Sequence, residues 1–436
     1  MEDIVQIFVG NFIHCTERLK LQVVENGFII VKGRKIVATG KKADLNSTKA
    51  RLDLKDGADE KILTGSQILI PGFVDTHIHA PQYPNCGLGY DKPLLEWLET
   101  YTYKVEKIYR DQELSRRVFD AVVKNTLANG TTTACYFASL FNNSSMLLVD
   151  AAIRHSQRAL IGKINMTTLA PDDYLETPEE SLENTKIFIE YVKSQKSDLV
   201  KPVITPRFAL SVDMDLMKKL GDLAAYEDLH IQTHISENSS EVDMVVSKYN
   251  MLYANVYDEA QLLTSKTILA HGVYLTDEEI QLIARRGASI SHCPESNTCL
   301  KSGLCDVYNL LNRGVIVGLG TDVSGGPLPS ILRAMKAALD TSIHISFQYK
   351  NYMPLTYKDV FYLATLGGAE ALSLHDKIGN FQEGKDFDAL IIDMDAKDSP
   401  VDFLLECSVL EIFQKFIYTG DDRNIINVFV AGKQVK

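Results

Sequence analysis

Eight short apolar segments, each followed by a stretch of helical character, alternate through the middle of the chain. The predicted strands are residues 67–75, 132–138, 159–166, 203–207, 229–234, 267–271, 288–292 and 315–322. Predicted helices between them include residues 115–128, 179–193, 213–227, 239–263 and 330–344. Such alternation is typical of an α/β fold with a parallel sheet and crossover helices. Eight strand–helix units within about 300 residues predict a (β/α)8 barrel of the TIM type.

Both ends of the chain have a different pattern, with shorter strand segments separated by turn residues. These segments are residues 5–9, 21–31, 35–39, 389–393 and 425–430, with turns predicted at Asn26-Gly27, Lys32-Gly33 and Ala431-Gly432-Lys433. We therefore expect residues 1–70 and 380–436 to form one composite small β domain of the sandwich type. It would flank a catalytic barrel of residues 71–379.

Polar side chains stand where the predicted barrel strands end, which is where the active site of such a barrel lies. They are His77, His79, Arg207, His234, His271, His292 and Asp322. In a strand, residues i and i+2 point the same way, so His77 and His79 can grip one metal ion. His234 and Asp322 come from other strand ends but face the same barrel mouth. With His77 and His79 they make three imidazoles and a carboxylate, which suit a catalytic zinc with an open water position and also suit iron.

Charge and cysteine content narrow the class of function. The chain has 45 Lys and Arg against 57 Asp and Glu, and a net charge of −12 disfavours nucleic acid and anionic membranes as partners. Seven scattered cysteines without a Cys-x-x-Cys motif are typical of reduced thiols. The first three residues show no basic start of a secretory signal, and the charge-free residues 129–149 are too polar to span a membrane. We expect a soluble cytoplasmic protein with a small-molecule substrate.

Four motifs resemble those of the amidohydrolase superfamily, and the resemblance covers essentially the whole chain. Residues 71–79 (PGFVDTHIH), 233–237 (THISE) and 320–322 (GTD) resemble its first-, fifth- and eighth-strand motifs. Residues 292–297 (HCPESN) resemble the branch that deaminates rings and dechlorinates triazines. Finer details in residues 79–83, 94–98, 205–209 and 234–238 are similar to members of that branch that deaminate guanine.

The resemblance implies different roles for the residues at the strand ends. His77, His79, His234 and Asp322 would hold one zinc ion per chain, and His271 would contact and orient the attacking water. Glu237 would carry a proton from that water to a ring nitrogen and then to the leaving amine. A carboxyl near a metal has a tunable pKa, as such acid–base work requires.

The implied reaction is hydrolytic deamination of guanine to xanthine and ammonia, a step of purine catabolism. The Gln82 amide has both a donor and an acceptor, which match a ring N–H beside a carbonyl. The Arg207 guanidinium offers only donors and suits the O6 carbonyl, and Phe208 would pack on the base. His234, Glu237 and Asp322 would also face the substrate. Relatives of this kind imply a homodimer.

Several alternatives stay open on the sequence. The substrate could be another ring amine, such as cytosine, a pterin, a triazine or S-adenosylhomocysteine, because a fold does not fix function. A binuclear hydrolase would need a lysine at the end of the fourth strand, where this chain has Arg207. A scaffold relative would have lost ligands that this chain keeps. At single positions, Arg207 could be a structural ion-pair partner, and His292 could be structural or could orient a ligand. Residues 81–109 could form a lid over the barrel mouth.

Overall fold

The computed structural model describes residues 4–54 and 59–436. The start of the chain, on which part of the secretory-signal prediction rests, lies outside these ranges. The first five strands are β1 Val5–Glu17, β2 Lys20–Lys32, β3 Lys35–Lys41, β4 Asp59–Ile62 and β5 Gln67–Pro71. The barrel strands are β6 Phe73–His79, β7 Thr131–Phe137, β8 Arg158–Gly162, β9 Ile164–Asn165, β10 Val200–Pro206, β11 His230–Ile235, β12 Thr267–His271, β13 Ser289–His292 and β14 Ile316–Leu319. Three strands close the chain: β15 Ala389–Asp393, β16 Ile425–Val430 and β17 Lys433–Gln434.

One helix, α1, lies between β3 and β4, and the others lie between the barrel strands and after the last of them. Those up to β11 are α1 Leu45–Arg51, α2 Leu94–Trp97, α3 Tyr103–Glu106, α4 Gln112–Ala128, α5 Asn142–Arg154, α6 Pro178–Ser194 and α7 Met214–Glu227. Those beyond it are α8 Ser239–Tyr249, α9 Tyr253–Glu259, α10 Asp277–Arg286, α11 Pro294–Cys299, α12 Val307–Asn312, α13 Ile331–Gln348, α14 Tyr357–Ala364, α15 Leu366–Ala371 and α16 Val409–Thr419. Within the described residues, no helix is both long and apolar enough to cross a membrane.

The central sheet is parallel and runs in the order β6-β7-β8-β10-β11-β12-β13-β14, with β9 paired to β10. Its first and last strands are joined by backbone bonds just beyond β14. Asp322 N donates to His77 O at 2.9 Å, and His79 N donates to Val323 O at 3.1 Å. The predicted (β/α)8 barrel of the TIM type is confirmed.

The barrel core has an apolar floor built from five of its strands. The side chains of Val74, Cys135, Leu160, Val203 and Ile268 pack in one buried cluster with Ala369 of α15. Burial of this many apolar groups on successive strands explains why the segments read as short continuous apolar runs. The floor leaves the opposite, carboxyl-terminal ends of the strands free to carry polar groups.

The two chain ends pair in a second sheet, as the sequence predicts. Its order is β17-β16-β15-β5-β1-β2-β3, with β4 added beside β1. The turn after residue 32 and the turn before β17 are confirmed. The turn at Asn26-Gly27 is wrong, because β2 continues through these residues. There the β1–β2 register shifts between Gly10 and Phe12, and Asn26 takes φ 48°. The Asn-Gly pair therefore makes a bulge within a long hairpin.

Four strand predictions and one helix prediction differ clearly from the structure. The predicted strand 5–9 continues to Glu17 in β1. The predicted strand 67–75 is two strands, because the chain leaves the end sheet at Gly72 and enters the barrel. The third strand is split into β8 and β9, which pair with different stretches of β10. The eighth strand ends at Leu319, so Asp322 lies in the loop beyond it. The predicted helix 239–263 is interrupted where Asn250 takes a left-handed conformation and ends α8.

Candidate active site

Three imidazoles from two barrel strands, β6 and β11, converge on one point at the carboxyl-terminal end of the sheet. His79 Nε2 lies 3.2 Å from His77 Nε2 and 3.1 Å from His234 Nε2. Asp322 Oδ1 completes the group at 3.1 Å from His77 Nε2 and 3.3 Å from His79 Nε2. His77, His79 and Asp322 are buried, and His234 is partly exposed. The i, i+2 spacing of His77 and His79 on β6 places both rings at the same spot, as the sequence predicts.

The chemistry of this donor set fits a metal ion. Ligand atoms of His77, His234, His271 and Asp322 all lie within 4.8 Å of one another. His234 Nδ1 donates to Arg207 O at 2.6 Å, so its Nε2 presents a lone pair to the cluster. His271 Nδ1 bonds Asn297 Oδ1 at 2.9 Å, and its Nε2 has no hydrogen-bond partner among the described residues. Converging lone pairs beside a carboxylate are what a divalent cation requires.

Burial keeps His77, His79 and His234 neutral, and hydrogen bonds keep Asp322 ionised. Burial lowers the pKa of His79 to about 4. Burial, followed by the charges of His77 and His79, holds the pKa of His234 well below its usual value. Burial alone would raise the pKa of Asp322, but hydrogen bonds from His77 and His79 bring it well below the ordinary range. Neutral imidazoles and an ionised carboxylate are the protonation states in which these groups bind metals.

Glu237 stands beside this cluster, in the turn between β11 and α8. Its Oε2 lies 3.5 Å from His271 Nε2, and Ser302 Oγ donates to its Oε1 at 3.3 Å. The Glu241 carboxylate accepts from Glu237 N at 3.1 Å and thereby fixes the turn. Burial, together with the negative charges of Asp322 and Glu241, raises the pKa of Glu237 well above the usual carboxyl value. A carboxyl of this kind can hold a proton near neutral pH.

A cavity opens next to Glu237 and the histidines, with about 480 Å³ of empty space that includes open solvent. Seven of the nine sequence-predicted residues line it, namely His79, Gln82, Arg207, Phe208, His234, Glu237 and Asp322. The other two, His77 and His271, lie behind them in the histidine cluster. Leu94, Leu95, Trp97 and Leu98 form an apolar wall, so residues singled out in the segment 94–98 do border the cavity.

The Arg207 guanidinium is paired with a residue that the sequence reasoning missed. Its Nη1 and Nη2 donate to the two oxygens of Glu106 at 2.5 and 3.2 Å. Gln82 Nε2 also donates to Glu106, at 2.9 Å, and Gln82 Oε1 accepts from Ser324 N at 3.2 Å. The structural ion pair that the sequence left open for Arg207 is therefore present, with Arg207 lining the cavity and Glu106 behind it. No local pattern in the sequence points to Glu106, because its partner Arg207 is 101 residues away along the chain.

Two further residues support the cluster without having been singled out. The Phe137 ring, at the end of β7, packs under His77, His79 and His234 with ring centres 4.5 to 4.9 Å apart. Asp75 accepts from His77 N at 3.2 Å and from Thr321 Oγ1 at 2.6 Å. Asp75 belongs to the motif of residues 71–79, which could have pointed to it. Phe137 carries no signal beyond the apolar character of its strand.

His292 does not join the other histidines at the cavity. It is buried at the end of β13, and neither ring nitrogen has a hydrogen-bond partner among the described residues. Burial, with a smaller effect from His271, lowers its pKa to about 3. It is therefore a neutral ring that the structure places outside the cavity lining.

The barrel and the site together are typical of a hydrolase with a candidate metal centre, and comparison with known proteins agrees with this class. The profile of the amidohydrolase family matches residues 68–435, and the chain belongs to that family. It is 42% identical to the guanine deaminase of Dictyostelium discoideum, over 99% of this chain and 98% of the relative. It is 43% identical to the guanine deaminase of Homo sapiens, over 100% of this chain and 97% of the relative.

A solved structure is similar over the same length. The guanine deaminase of C. acetobutylicum, with guanine bound in its active site, superposes with a TM-score of 0.91 at 34% sequence identity. The match covers 99% of this chain and 100% of the other. The amidohydrolase resemblance inferred from the four motifs is thereby confirmed.

Proposed function

We propose that this chain hydrolyses guanine to xanthine and ammonia. The observation that carries the proposal is the convergence of Gln82, Arg207, Phe208 and Glu237 with the histidine cluster on one cavity. Full-length similarity to guanine deaminases supports the same substrate. In the reaction, water adds an oxygen to C2 of the ring, the C2–amine bond breaks and ammonia leaves.

His77, His79, His234 and Asp322 would hold one zinc ion per chain. Nitrogen and carboxylate ligands in this number are typical of catalytic zinc sites. The short distances of His79 to the other three residues support its place among the ligands. His271 lies farther out, at 3.8 Å from Asp322 Oδ2, and is better placed to face the attacking water. When bound, zinc supplies Lewis acidity that makes water a nucleophile at neutral pH.

Glu237 would move the protons. It lies next to the His271 imidazole and lines the cavity, so it can reach both the water and the ring. Its oxygen takes a proton from water, delivers it to a ring nitrogen and later passes one to the leaving amine. The raised pKa of this carboxyl supports the acid half of the role, because a proton held near neutral pH is available for transfer.

Gln82, Arg207 and Phe208 would recognise the base. With one donor and one acceptor already used, the Gln82 amide retains one N–H and one lone pair for a ring N–H beside a carbonyl. The N–H groups of Arg207 that do not donate to Glu106 can donate to the O6 carbonyl of guanine. Phe208 is 8% exposed and lies on the cavity wall, where an aromatic face can cover a purine.

The decisive experiment follows guanine and xanthine by absorbance with purified protein of measured metal content. We expect guanine turnover at one metal per chain, loss of turnover on chelation and recovery on adding zinc. Glu237→Gln should keep the metal and lose at least about a thousandfold in kcat. Cytosine, a pterin, a triazine and S-adenosylhomocysteine are tested in parallel by ammonia release. Faster turnover of any of these than of guanine contradicts the proposal, and two metals per chain contradict the mononuclear site.

The remaining features are predictions from the sequence that the site does not address. We expect a homodimer and a cytoplasmic location, and we keep residues 1–70 and 380–436 as one small domain beside the barrel of residues 71–379. Size-exclusion chromatography with light scattering measures the oligomeric state, and limited proteolysis tests the domain boundaries.

A further inference from the structure

Glu106 is a buried carboxylate that stands directly behind the cavity wall. It is the last residue of α3, its exposure is 0%, and it is not among the residues that line the cavity. Burial alone raises the pKa of this carboxyl. The charge and hydrogen bonds of Arg207 outweigh that effect and lower the pKa below its usual value, so the group is ionised. A fully buried charge of this kind is retained only where it is paired and hydrogen-bonded.

Every acceptor position of Glu106 is occupied by a donor. Its Oε1 accepts from Gln82 Nε2 at 2.9 Å and from Arg207 Nη2 at 3.2 Å. Its Oε2 accepts from Arg207 Nη1 at 2.5 Å and from Tyr174 Oη at 3.0 Å. Two of the three donor side chains, Gln82 and Arg207, are those expected to read the substrate. Glu106 is therefore their common anchor.

The bond to Glu106 sets which way the Gln82 amide faces. Because Nε2 donates to the carboxylate and Oε1 accepts from Ser324 N, the two ends of the amide cannot exchange places without losing both bonds. The amide thus presents a fixed N–H and a fixed lone pair to the cavity. An amide free to rotate would accept the reversed pattern of donor and acceptor equally well.

The same carboxylate cancels the charge of Arg207. The guanidinium is 3% exposed and also lies over the Tyr103 ring at 5.4 Å. The ion pair turns an isolated cation into a neutral set of directed donors. The other acidic side chains of the cavity wall are Glu237, Glu241 and Asp322. With Arg207 paired to Glu106, the described side chains of the wall include no unbalanced cation, and such a wall favours a neutral purine over a purine anion.

We propose that Glu106 is a positioning residue that orients Gln82 and Arg207 for a neutral purine and makes the cavity reject purine anions. The inference rests on the proposed function, because it assumes that a purine occupies the cavity. It adds a specificity element that acts through two other side chains and does not touch the substrate.

Glu106→Gln tests both halves of the proposal. The amide keeps the shape of the carboxylate but removes its charge and one acceptor, so Arg207 becomes an unbalanced cation. We expect KM for guanine to rise roughly tenfold to hundredfold while kcat falls less than about threefold. Inhibition by urate, a monoanion at neutral pH, should strengthen at least fivefold. Glu106→Asp keeps the negative charge on a shorter side chain that no longer reaches both partners. It should raise KM for guanine without improving urate binding.

Tyr174→Phe keeps the ion pair intact and guards against a variant that fails to fold. It removes one donor from Glu106, and we expect a rise in KM of roughly threefold to tenfold at unchanged kcat. Tyr191→Phe is the matched control. Tyr191 Oη donates to the Asp150 carboxylate at 2.6 Å, and neither residue lines the cavity. Glu176→Gln, which breaks the buried pair with Lys163, controls for loss of stability alone.

Wild-type turnover of guanine decides the proposed function by itself. The role of Glu106 is decided by how much weaker the variant binds the purine than the wild type does. Calorimetry with hypoxanthine, which keeps the ring N–H beside a carbonyl, measures this ratio of affinities without turnover. Folded, metal-loaded Glu106→Gln and Tyr174→Phe proteins with wild-type affinity for guanine and hypoxanthine overturn the proposal. So does Glu106→Gln protein that binds urate no better than the wild type does.

Discussion

The Asp75 carboxylate accepts a 2.6 Å hydrogen bond from Thr321 Oγ1, across 246 positions of the chain. Asp75 lies on β6 two residues before His77, and Thr321 directly precedes Asp322. A second bond, from Thr321 N to Asp75 Oδ1 at 3.1 Å, makes the connection bidentate. It therefore joins the first barrel strand to the loop after the last one, next to the candidate metal ligands His77 and Asp322.

Removing this connection should weaken metal binding. Thr321→Val keeps the shape of the side chain but removes the hydroxyl donor. Groups that orient ligands typically change metal affinity by roughly tenfold to a hundredfold, and we expect a loss of that size in chelator competition. Thr126→Val is the control, because Thr126 is an equally buried threonine that bonds Val123 O away from the site. Equal metal affinity of the two variants would refute the role of Thr321.

The sequence predicted the candidate ligands because their signal is local. His77 and His79 share a strand face by spacing alone, and polar residues at apolar strand ends are rare enough to mark the active edge. Glu106 had no such signal, because its importance comes from a contact with Arg207, 101 residues away. Phe137 was missed for the same reason, since an aromatic residue at a strand end looks like any other core residue.

An ion-pair network holds the barrel against the end sheet and should be costly to break. Arg158 Nη2 lies 2.9 Å from Asp386 Oδ2 and 3.2 Å from Asp388 Oδ1, and all three side chains are at most 4% exposed. Arg158→Met leaves two buried carboxylates with fewer cations. We expect the free energy of unfolding, measured with urea, to fall by about 3–5 kcal/mol.

An exposed pair serves as the control for this experiment. Arg154 pairs with Asp120 at 3.0 Å, but its side chain is 54% exposed. Arg154→Met should change the free energy of unfolding by less than about 1 kcal/mol. A similar small effect for Arg158→Met would mean that Arg34 and Lys35, which also pair with Asp386, suffice to balance the two carboxylates.

Gly72 marks the point where the chain crosses from the end sheet to the barrel, and the sequence did not reveal it. A continuous apolar run from residue 67 to 75 reads as one strand, because periodicity cannot tell one buried strand from two. Glycine is needed at this crossing for a steric reason. A Cβ atom at Gly72 would lie 2.2 Å from Thr132 Oγ1 and 2.3 Å from Thr132 Cγ2.

Gly72→Ala should therefore destabilise the protein by roughly 1–3 kcal/mol, as overpacking of a core does. Thermal unfolding measures the loss. The double variant with Thr132→Ala should recover part of it, because the colliding atoms are gone. Gly65→Ala is the control, since nothing lies within 4 Å of its Cβ position. Equal unfolding temperatures for the Gly65 and Gly72 variants would contradict the steric explanation.

His14 should make the stability of the end sheet depend on pH. It is 5% exposed, its Nδ1 accepts from Phe381 N at 3.1 Å, and its Nε2 faces Gln22 Oε1 at 3.1 Å. Burial, with a smaller contribution from the charge of Lys385, lowers its pKa from 6.5 to about 4. The unfolded chain therefore binds a proton between pH 6.5 and 4 that the folded chain does not bind. Stability contributed by the neutral ring is complete above pH 6.5 and is lost as the pH falls towards 4.

The loss attributable to His14 should reach about 3 kcal/mol at pH 4, since each unit of pKa difference corresponds to about 1.4 kcal/mol. Other groups also titrate in this range, so the measurement is a difference between proteins. His14→Gln cannot gain the proton, and its free energy of unfolding should fall less steeply than that of the wild type from pH 6.5 to 4. The exposed His344, replaced by Gln, should leave the wild-type slope unchanged. Parallel curves for the wild type and His14→Gln would show that the buried ring does not control the acid sensitivity of the fold.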